Sequence, residues 1–306
     1  MKRPWLAWLS IPVVGILELV AHAWLSVRAP EPDEWSALPE LVARLRHPGD
    51  LVVIAPEWAE PLARHALGDP ILPISALARA DVSGYAFALE ISILGARAAE
   101  LAQFSPIASQ ESPPFRVRRL RNDAYSPVLF AFTDHVAAEH LTVTEPDGNG
   151  ERECSYTESA RTSSGGLGGH PTYPASRFRC TGGESFFVGV TLVDDQNYRP
   201  RRCIFAHPPR HGGPLRLRFR DVPRGTALTG SAGFPYLLFR DGLGQPVTIA
   251  AFAGERKLGE STHRDEEGFQ PFRFELGEVA ARSEIRFEVT SADSRLRHFC
   301  FTAEVR

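Results

Sequence analysis

The chain has 306 residues, and its 34 lysines and arginines against 37 aspartates and glutamates give a net charge of −3 at pH 7. This length leaves room for about two domains of ordinary size, each with its own core. The nearly balanced charge does not suggest a nucleic acid or an anionic surface as a partner. We therefore expect a multi-domain protein that does not bind nucleic acid.

The N-terminal segment, residues 1–30, predicts a transmembrane helix that anchors the protein. Lys2 and Arg3 precede a mainly apolar run, residues 5–27. A helix rises about 1.5 Å per residue, so this run is long enough for the roughly 30 Å hydrocarbon core of a bilayer. Because flanking cations stay in the cytoplasm, the sequence predicts a single-pass membrane protein with a cytoplasmic N-terminus and its bulk exported, periplasmic or extracellular.

A cleaved secretory signal is the alternative interpretation of residues 1–30. Residues 21–23, Ala-His-Ala, satisfy the small-x-small cleavage pattern that follows an apolar stretch. Pro12, Glu18 and His22 also interrupt the apolar run and weaken it as a lipid-facing helix. Both interpretations export the rest of the chain, whereas a buried helix of a cytosolic protein fits the basic flank less well.

Residues 31–140 predict a small α/β domain. A turn at Pro48-Gly49-Asp50 separates a helical pattern from a short apolar run that predicts a buried strand. The helical patterns cover residues 34–45 and 58–67, and the strand patterns cover residues 51–55, 115–120 and 128–132. This alternation of helices and strands indicates a partly parallel sheet.

Residues 141–306 lose the helical period and predict antiparallel β-structure. Residues 141–185 form a β-rich connector whose Gly/Ser-rich part, residues 161–170, predicts a mobile loop. Residues 186–306 predict a β-sandwich, because short strand patterns alternate with turns rich in glycine, proline and aspartate. These patterns cover residues 186–193, 203–206, 215–219, 236–239, 247–252, 272–274, 285–289 and 299–305. The predicted class is therefore α+β, with a transmembrane helix, a small α/β domain and a jelly-roll-like sandwich.

An arginine ladder is expected on one face of this sandwich. Leu215, Leu217 and Phe219 alternate with arginines at 216, 218 and 220. Side chains alternate between the two faces of a strand, so the three arginines share the face opposite the core. We expect a solvated polar face there, and an anion-binding surface is the alternative.

Four cysteines, Cys154, Cys180, Cys203 and Cys300, lie in the second half of the chain. An even number of cysteines in an exported chain favours disulfides, and no Cys-x-x-Cys pair suggests a zinc or redox site. We favour Cys154 with Cys180, which closes a local excursion, and Cys203 with Cys300, which joins the first and last parts of the sandwich. Four cysteines allow three pairings, so the alternatives remain open here.

Two resemblances to known families point to carbohydrate. Arg240-Asp241-Gly242, His263, Asp265, Gly268 and Phe269 stand between short strands, and on these residues the segment 186–306 resembles a galactose-binding-like jelly roll, a carbohydrate-binding-type module often attached to secreted carbohydrate-active proteins. Residues 48–56 are similar to exported domains that accompany membrane glycosyltransferases. Together the resemblances imply an envelope glycan as the context.

The polar loop before Phe269 is the candidate ligand site. In a sugar site a carboxylate accepts hydrogen bonds from hydroxyl groups, and an aromatic face covers the apolar side of the ring. His263, Asp265, Glu267 and Phe269 provide these groups. A solvated loop is the alternative.

A cluster of oxygen ligands follows a predicted strand at Asp194, Asp195 and Asn197. Calcium takes six to eight oxygens on a flexible loop. Modules of the resembled jelly-roll type often hold a structural Ca²⁺, so the resemblance makes this cluster a candidate calcium site. We expect no cofactor otherwise. The alternative is an Asx turn that ends the strand.

No catalytic residues can be assigned. His135 and His140 are five residues apart, whereas an inverted zincin motif needs its histidines four apart on one helical face. Residues 230–233 lack the spacing of a nucleophile elbow, and Gly242-Leu243-Gly244 precedes β-branched residues and predicts a hairpin turn. Paired carboxylates for glycoside hydrolysis are defined in space, so the sequence names none.

The sequence therefore predicts a non-catalytic, membrane-anchored accessory protein of the cell envelope. Its partners would be the membrane, through the N-terminal helix, and a polysaccharide or a membrane glycosyltransferase that the sandwich meets. An envelope glycan hydrolase or transferase is one alternative. A structural module that binds another protein is the second.

Overall fold

The computed structural model describes residues 10–28, 30–74, 82–163, 166, 170–277 and 281–306, with the backbone alone at residues 25–28, 239 and 241. The chain forms two compact units. The first unit contains residues 1–73 and 85–125, and the second contains residues 74–84 and 126–306. The domain limits predicted near residues 140 and 186 both fall within the second unit, and a division there stays a prediction.

The prediction of a membrane-spanning N-terminal helix is wrong. Helix α1, Ser10–Arg28, is the long helix of the predicted anchor. None of the helices in the described residues is both long enough and apolar enough to span a bilayer. Within α1, Pro12, Glu18 and His22 lower the hydropathy of the segment. This finding also overturns the predicted single-pass localisation with a cytoplasmic N-terminus and membrane partner.

The predicted α+β class is also wrong, because the chain is mainly β. About twice as many residues lie in strands as in helices within the described part. Even the first unit, predicted as α/β, is built on four strands. The β-sandwich predicted for the C-terminal part fits the observed sheets.

The first unit packs short helices against a mixed sheet. Its helices are α2 (Pro32–Trp35), α3 (Leu38–Leu45) and α4 (Glu60–Leu67), and its strands are β1 (Leu51–Ala55), β2 (Phe87–Ser92), β3 (Phe104–Ser112) and β4 (Phe115–Asn122). The strand order is β1-β2-β4-β3, with only the β1–β2 pair parallel. The helix expected over residues 34–45 is interrupted, because Pro39 has no N–H to continue a helix from α2 and instead lies in the first turn of α3.

Two buried ion pairs cross the sheet of the first unit. The Asp50 carboxylate accepts hydrogen bonds from Arg119 Nε at 2.8 Å and Nη2 at 3.0 Å. Glu90 pairs with Arg118, and its Oε1 also accepts from the Ala98 backbone N–H at 2.7 Å. Because both acids have cationic partners, they are satisfied parts of the fold.

The second unit is an antiparallel sandwich of two sheets. Its strands are β5 (Phe130–Ala131), β6 (Leu141–Asp147), β7 (Gly150–Glu153), β8 (Ser155–Thr157), β9 (Arg177–Arg179), β10 (Phe187–Asp194), β11 (Pro200–Ala206), β12 (Leu215–Pro223), β13 (Ala227–Gly233), β14 (Val247–Ala253), β15 (Arg256–His263), β16 (Gln270–Glu275), β17 (Arg282–Ser291) and β18 (Cys300–Val305). One sheet has the order β16-β13-β18-β11-β10-β9-β8, with β5 also paired to β18. The other has the order β15-β14-β17-β12-β6-β7.

The core of the sandwich lies between these sheets. Residues of both sheets form one buried cluster, in which Phe132 meets Phe219 and Phe287 edge-on with ring centroids 4.8 and 5.0 Å apart. A smaller cluster includes Phe187 and Phe205. Since Val188 and Ile204 belong to the large cluster, strand alternation places the small one on the opposite face of the same sheet.

The four cysteines form two disulfides, Cys154–Cys180 and Cys203–Cys300. These are the pairs that the sequence analysis favoured. The second bridge links the adjacent strands β11 and β18 across a sequence separation of 97 residues. It therefore joins the first and last parts of the sandwich.

One predicted strand is a helix. Residues 236–239 belong to helix α5, Tyr236–Asp241, which ends in the left-handed Gly242. Gly242-Leu243-Gly244 therefore follows a helix and does not form the expected hairpin turn. The loop predicted as mobile, residues 161–170, falls largely outside the described residues.

Candidate functional site

A cleft of about 1030 Å³ opens among the loops of the second unit. Its walls come from segments just before β10, just after β11, just before β14 and between β17 and β18. The pairs β10–β11, β11–β18 and β14–β17 are antiparallel, so the start of one strand lies beside the end of its neighbour. The topology thus gathers four segments that are distant in sequence. The volume lies at the upper end of the roughly 300–1,000 Å³ usual for ligand sites.

Two histidines form the polar wall of the cleft. The ring centroids of His207 and His298 are 5.7 Å apart. The Phe186 ring packs on the His207 ring, with their centroids 4.1 Å apart. Burial lowers the pKa of His207 to about 4 and also lowers that of His298. Both rings are therefore neutral at pH 7. His207 Nδ1 lies 2.9 Å from the Pro208 carbonyl oxygen, which only accepts, so Nδ1 carries the proton and Nε2 is an acceptor.

Arg210 brings a positive charge to the mouth of the cleft. Its guanidinium lies over the Phe186 ring at 5.3 Å from the centroid, and Nη2 donates to the Gly182 carbonyl oxygen at 3.0 Å. Among the described residues no carboxylate pairs with it. A Cβ on Gly182 would lie 2.9 Å from the Phe186 ring, so glycine permits this close packing.

Asp293 and Arg295 line the cleft from the segment between β17 and β18. The Asp293 carboxylate accepts from the backbone N–H of Arg295 at 2.9 Å and from its guanidinium, and these hydrogen bonds lower the pKa of Asp293. Exposed leucines, Leu243 and Leu296, also line the cleft. This part of the cleft therefore offers charged hydrogen-bonding groups beside apolar leucine side chains.

A buried ion pair supports this wall from behind. Asp265 accepts hydrogen bonds from Arg297 Nη1 at 2.6 Å and Nη2 at 3.1 Å, and from the Gly244 backbone N–H at 2.9 Å. Arg297 also donates to the Gln245 carbonyl oxygen at 3.1 Å. Gly244 and Gln245 line the cleft, so this pair fixes the position of the wall.

None of the four predicted ligand residues belongs to the cleft lining in the described part of the chain. Asp265 lies beneath the cleft, and His263 is fully buried with neither ring nitrogen bonded to a described residue. Glu267 accepts from the backbone N–H of Arg264 at 3.2 Å and caps a short helix. Phe269 is buried in the smaller core cluster under the guanidinium of Arg201. Ligand binding by these four residues stays a prediction.

The predicted calcium ligands do not fit a calcium site. Asp195 is fully buried, and its carboxylate accepts from the backbone N–H groups of Asn197 and Arg199 and from Arg201 Nε at 2.8 to 3.0 Å. These donors occupy the oxygens that a cation needs, and the guanidinium repels a cation. Asp194 is only half-buried and Asn197 is exposed. The observed contacts therefore correspond to an Asx-type turn, and calcium binding stays a prediction without support from them.

The arginine ladder of β12 is compensated by acids. Arg216 pairs with Glu151 at 2.7 Å and Glu288 at 2.8 Å, and Arg218 pairs with Glu151 at 2.9 Å. This pairing lowers the attraction of the face for anions. His135 and His140 do approach each other, with ring centroids 5.0 Å apart. No group of three metal-ligating side chains includes them among the described residues.

The residues of the cleft wall were not identified in the sequence. Phe186, His207, Arg210 and His298 stand singly at strand ends, and no spacing connects them. A weak signal lies in the sequence, because His207 directly follows a predicted strand and His298 directly precedes one. Only the strand order brings these positions together.

No family model matches the chain, and no curated protein matches it. Among solved structures, it is similar to the CBM51-2 and INT domains of Clostridium perfringens ZmpB, in complex with GlcNAc, at 10% identity and a TM-score of 0.30. That match covers 67% of this chain and 41% of the other, so the chain spans about two fifths of its length.

Two further structures are carbohydrate-binding modules. TmCBM27, described for specific mannan recognition, has 11% identity, covers 38% of this chain and 78% of its own, and gives a TM-score of 0.26. A mutant of a family 29 carbohydrate-binding module has 12% identity and a TM-score of 0.22, and the match covers 50% of this chain and 89% of that module. These modules belong to the class that the sequence resemblance named, whereas the likeness to glycosyltransferase-associated domains has no support. At such TM-scores the similarity carries no argument about function.

Proposed function

We propose that the second unit binds carbohydrate in the cleft between the loops of its sandwich. The observation that best supports this proposal is the mixture of polar and apolar groups on the cleft wall. Neutral His207 offers its Nε2 acceptor, and neutral His298 offers one donor and one acceptor. Arg210 and Asp293 offer charged groups. Leu243 and Leu296 stand at the rim. A sugar has hydroxyl groups at its edge and C–H groups on its faces, and such a mixed wall complements both.

The two disulfides support a ligand outside reducing compartments. Disulfides form and persist in oxidising surroundings. We therefore propose an envelope polysaccharide as the ligand class. A glycosyltransferase partner is not part of this proposal, because no feature of the described residues favours it.

The test is binding of the full chain, with its disulfides intact, to an array of bacterial envelope glycans. We expect retention of at least one glycan and no shortening of it. Arg210→Ala and His298→Ala should each weaken binding about tenfold, the usual effect of losing a hydrogen bond from a charged or buried group. Arg273→Ala is the matched control, because Arg273 is exposed on β16 and pairs with Glu275 outside the cleft.

Three outcomes would contradict the proposal or change it. Absence of binding to every glycan would reject it. Binding that both cleft variants leave unchanged would reject the cleft as the site. Shortening of the retained glycan would favour the alternative, a glycan hydrolase.

A further inference from the structure

Two tyrosines, one exposed and one half-buried, form a ring pair on the second unit. Tyr198 lies in the hairpin between β10 and β11, and Tyr236 begins helix α5. Their ring centroids are 4.1 Å apart with the planes tilted by 39°. Tyr198 is 65% exposed, which is unusual for a large aromatic residue in a folded hairpin. A hydrogen bond joins the two side chains and raises the pKa of Tyr198.

The backbone of Tyr198 is held in a conformation that tyrosine disfavours. Its φ angle is +58°, in the left-handed region where a side chain crowds the backbone. Such a conformation persists only where the surrounding structure imposes it, and it is often found at sites that bind ligands. A glycine or asparagine would fit this position with less strain.

A buried aspartate imposes this conformation. Asp195 Oδ1 accepts from the backbone N–H groups of Asn197 at 2.8 Å and Arg199 at 3.0 Å, on either side of Tyr198. The Tyr198 N–H itself donates to the Asp195 carbonyl oxygen at 2.9 Å. Arg201 Nε donates to the other carboxylate oxygen of Asp195, Oδ2, at 2.8 Å. The Asp195 carboxylate thus fixes the backbone around an exposed tyrosine.

The loop that follows β15 braces the same hairpin. Gln196 Oε1 accepts from the Phe269 backbone N–H at 3.2 Å, and Gly268 is packed against the Gln196 side chain. Arg201 lies over the Phe269 ring at 5.1 Å from the centroid. The hairpin tip is thus fixed on two sides, and Tyr198 remains at its surface.

Helix α5 connects the ring pair to the wall of the cleft along the chain. Helix α5 begins at Tyr236 and leads through Gly242 directly into Leu243 and Gly244, which line the cleft. The helix has six residues and is therefore about 9 Å long. A ligand that contacts both the cleft and the ring pair must therefore be longer than one sugar ring.

We propose that Tyr198 and Tyr236 form a second sugar-contacting surface, which binds the rings of an oligosaccharide beyond those held in the cleft. This inference rests on the proposed carbohydrate binding. Aromatic faces pack against the C–H groups of pyranose rings, while the tyrosine hydroxyls bond to sugar hydroxyls at the edge. The surface therefore selects oligosaccharides over single sugars.

The test uses the full chain labelled with 3-fluorotyrosine. The six tyrosines give separate ¹⁹F NMR signals that Tyr→Phe variants assign. The titrants are cellohexaose, mannohexaose, chitohexaose and every glycan retained on the array. We expect a binding glycan to shift the signals of Tyr198 and Tyr236. Tyr125, 44% exposed in the first unit, is the internal control and should not shift.

Two variants distinguish the contribution of the Tyr198 ring to binding from the contribution of its backbone conformation. Tyr198→Asn removes the ring but tolerates the left-handed backbone, and should weaken binding of the hexasaccharide or array glycan about fivefold. Tyr125→Asn should leave binding unchanged. Asp195→Asn should weaken binding through loss of the hairpin geometry, with a broadened Tyr198 signal as its separate signature.

The inference and the proposed function fail in different ways. If a glycan binds and His298→Ala weakens it, but the Tyr198 signal does not move and Tyr198→Asn binds normally, the inference is overturned and the cleft stands. If no array glycan and no hexasaccharide binds, both are overturned.

Discussion

Asp265 and Arg297 form a bidentate ion pair at the bottom of the cleft wall, with contacts of 2.6 and 3.1 Å. Their side chains are 2% and 1% exposed, so both charges are shielded from water. Asp265 also accepts from the Gly244 backbone N–H, and Arg297 donates to the Gln245 carbonyl oxygen. The pair therefore connects the interior of the sandwich to the loop that lines the cleft.

We predict that Asp265→Ala lowers the free energy of unfolding by about 3–5 kcal/mol, because it leaves the Arg297 charge buried without a partner. The double variant Asp265→Leu with Arg297→Met should recover part of that loss, since it removes both charges. Urea unfolding of the full chain measures both. Glu260→Ala is the control, because its exposed pair with Lys257 contributes little. A loss below about 1 kcal/mol for Asp265→Ala would show that the pair does not hold the fold.

Gly244 gives a second test of the same contact. A Cβ at this position would overlap the guanidinium of Arg297. We expect Gly244→Ala to cost about 1–3 kcal/mol, as overpacked positions do, and to weaken glycan binding by moving the wall. Gly150→Ala is the matched control, because the nearest atom to its added Cβ is 3.8 Å away. Equal stability of the two variants, measured by urea unfolding, would contradict the predicted overlap.

Buried histidines predict a loss of stability in acid. Burial lowers the pKa of His263 from 6.5 to about 4, and that of His207 likewise. Between these values the unfolded chain binds protons that the folded chain does not, so the free energy of unfolding falls as the pH drops from about 6.5 towards 4. Above this window the stabilising effect is fully present.

His263→Phe tests this pH dependence. The variant replaces a titrating group that has two unpaired nitrogens with a somewhat larger apolar ring, so we expect a smaller loss of stability between pH 7 and pH 5. Urea unfolding at both pH values gives the difference. His211→Gln serves as the control, because His211 is exposed. A pH slope unchanged by His263→Phe would show that this residue is not responsible.

The two disulfides should differ in their effect on stability. Their sequence separations are 97 residues for Cys203–Cys300 and 26 for Cys154–Cys180. Loop-closure entropy in the unfolded chain favours the longer loop by about 1 kcal/mol. We expect Cys203→Ala with Cys300→Ala to destabilise more than Cys154→Ala with Cys180→Ala, as measured by thermal unfolding. The reverse order would indicate that local packing, and not loop length, governs the difference.

Local patterns in the sequence predicted many of the strands, among them β1, β10, β12, β14, β17 and β18. The alternation of Leu215, Leu217 and Phe219 with arginines gave the two faces of β12, because side-chain direction in a strand depends only on position. The pattern failed at residues 236–239, which form a helix. Short apolar runs do not distinguish a strand from a buried helical turn.

Burial and pairing of the polar residues were decided by the tertiary structure. In the sequence Asp195, His263 and Asp265 are indistinguishable from solvated loop residues. Their partners Arg201 and Arg297 and their buried surroundings come from the packing of the loops. The cleft likewise depends on the tertiary structure, because its residues His207 and His298 are 91 positions apart in the chain. Alternation and composition are local properties of the sequence, so they indicate where strands form. The burial and the pKa of a polar side chain, and its contacts with residues distant in the chain, arise only when the sheets pack.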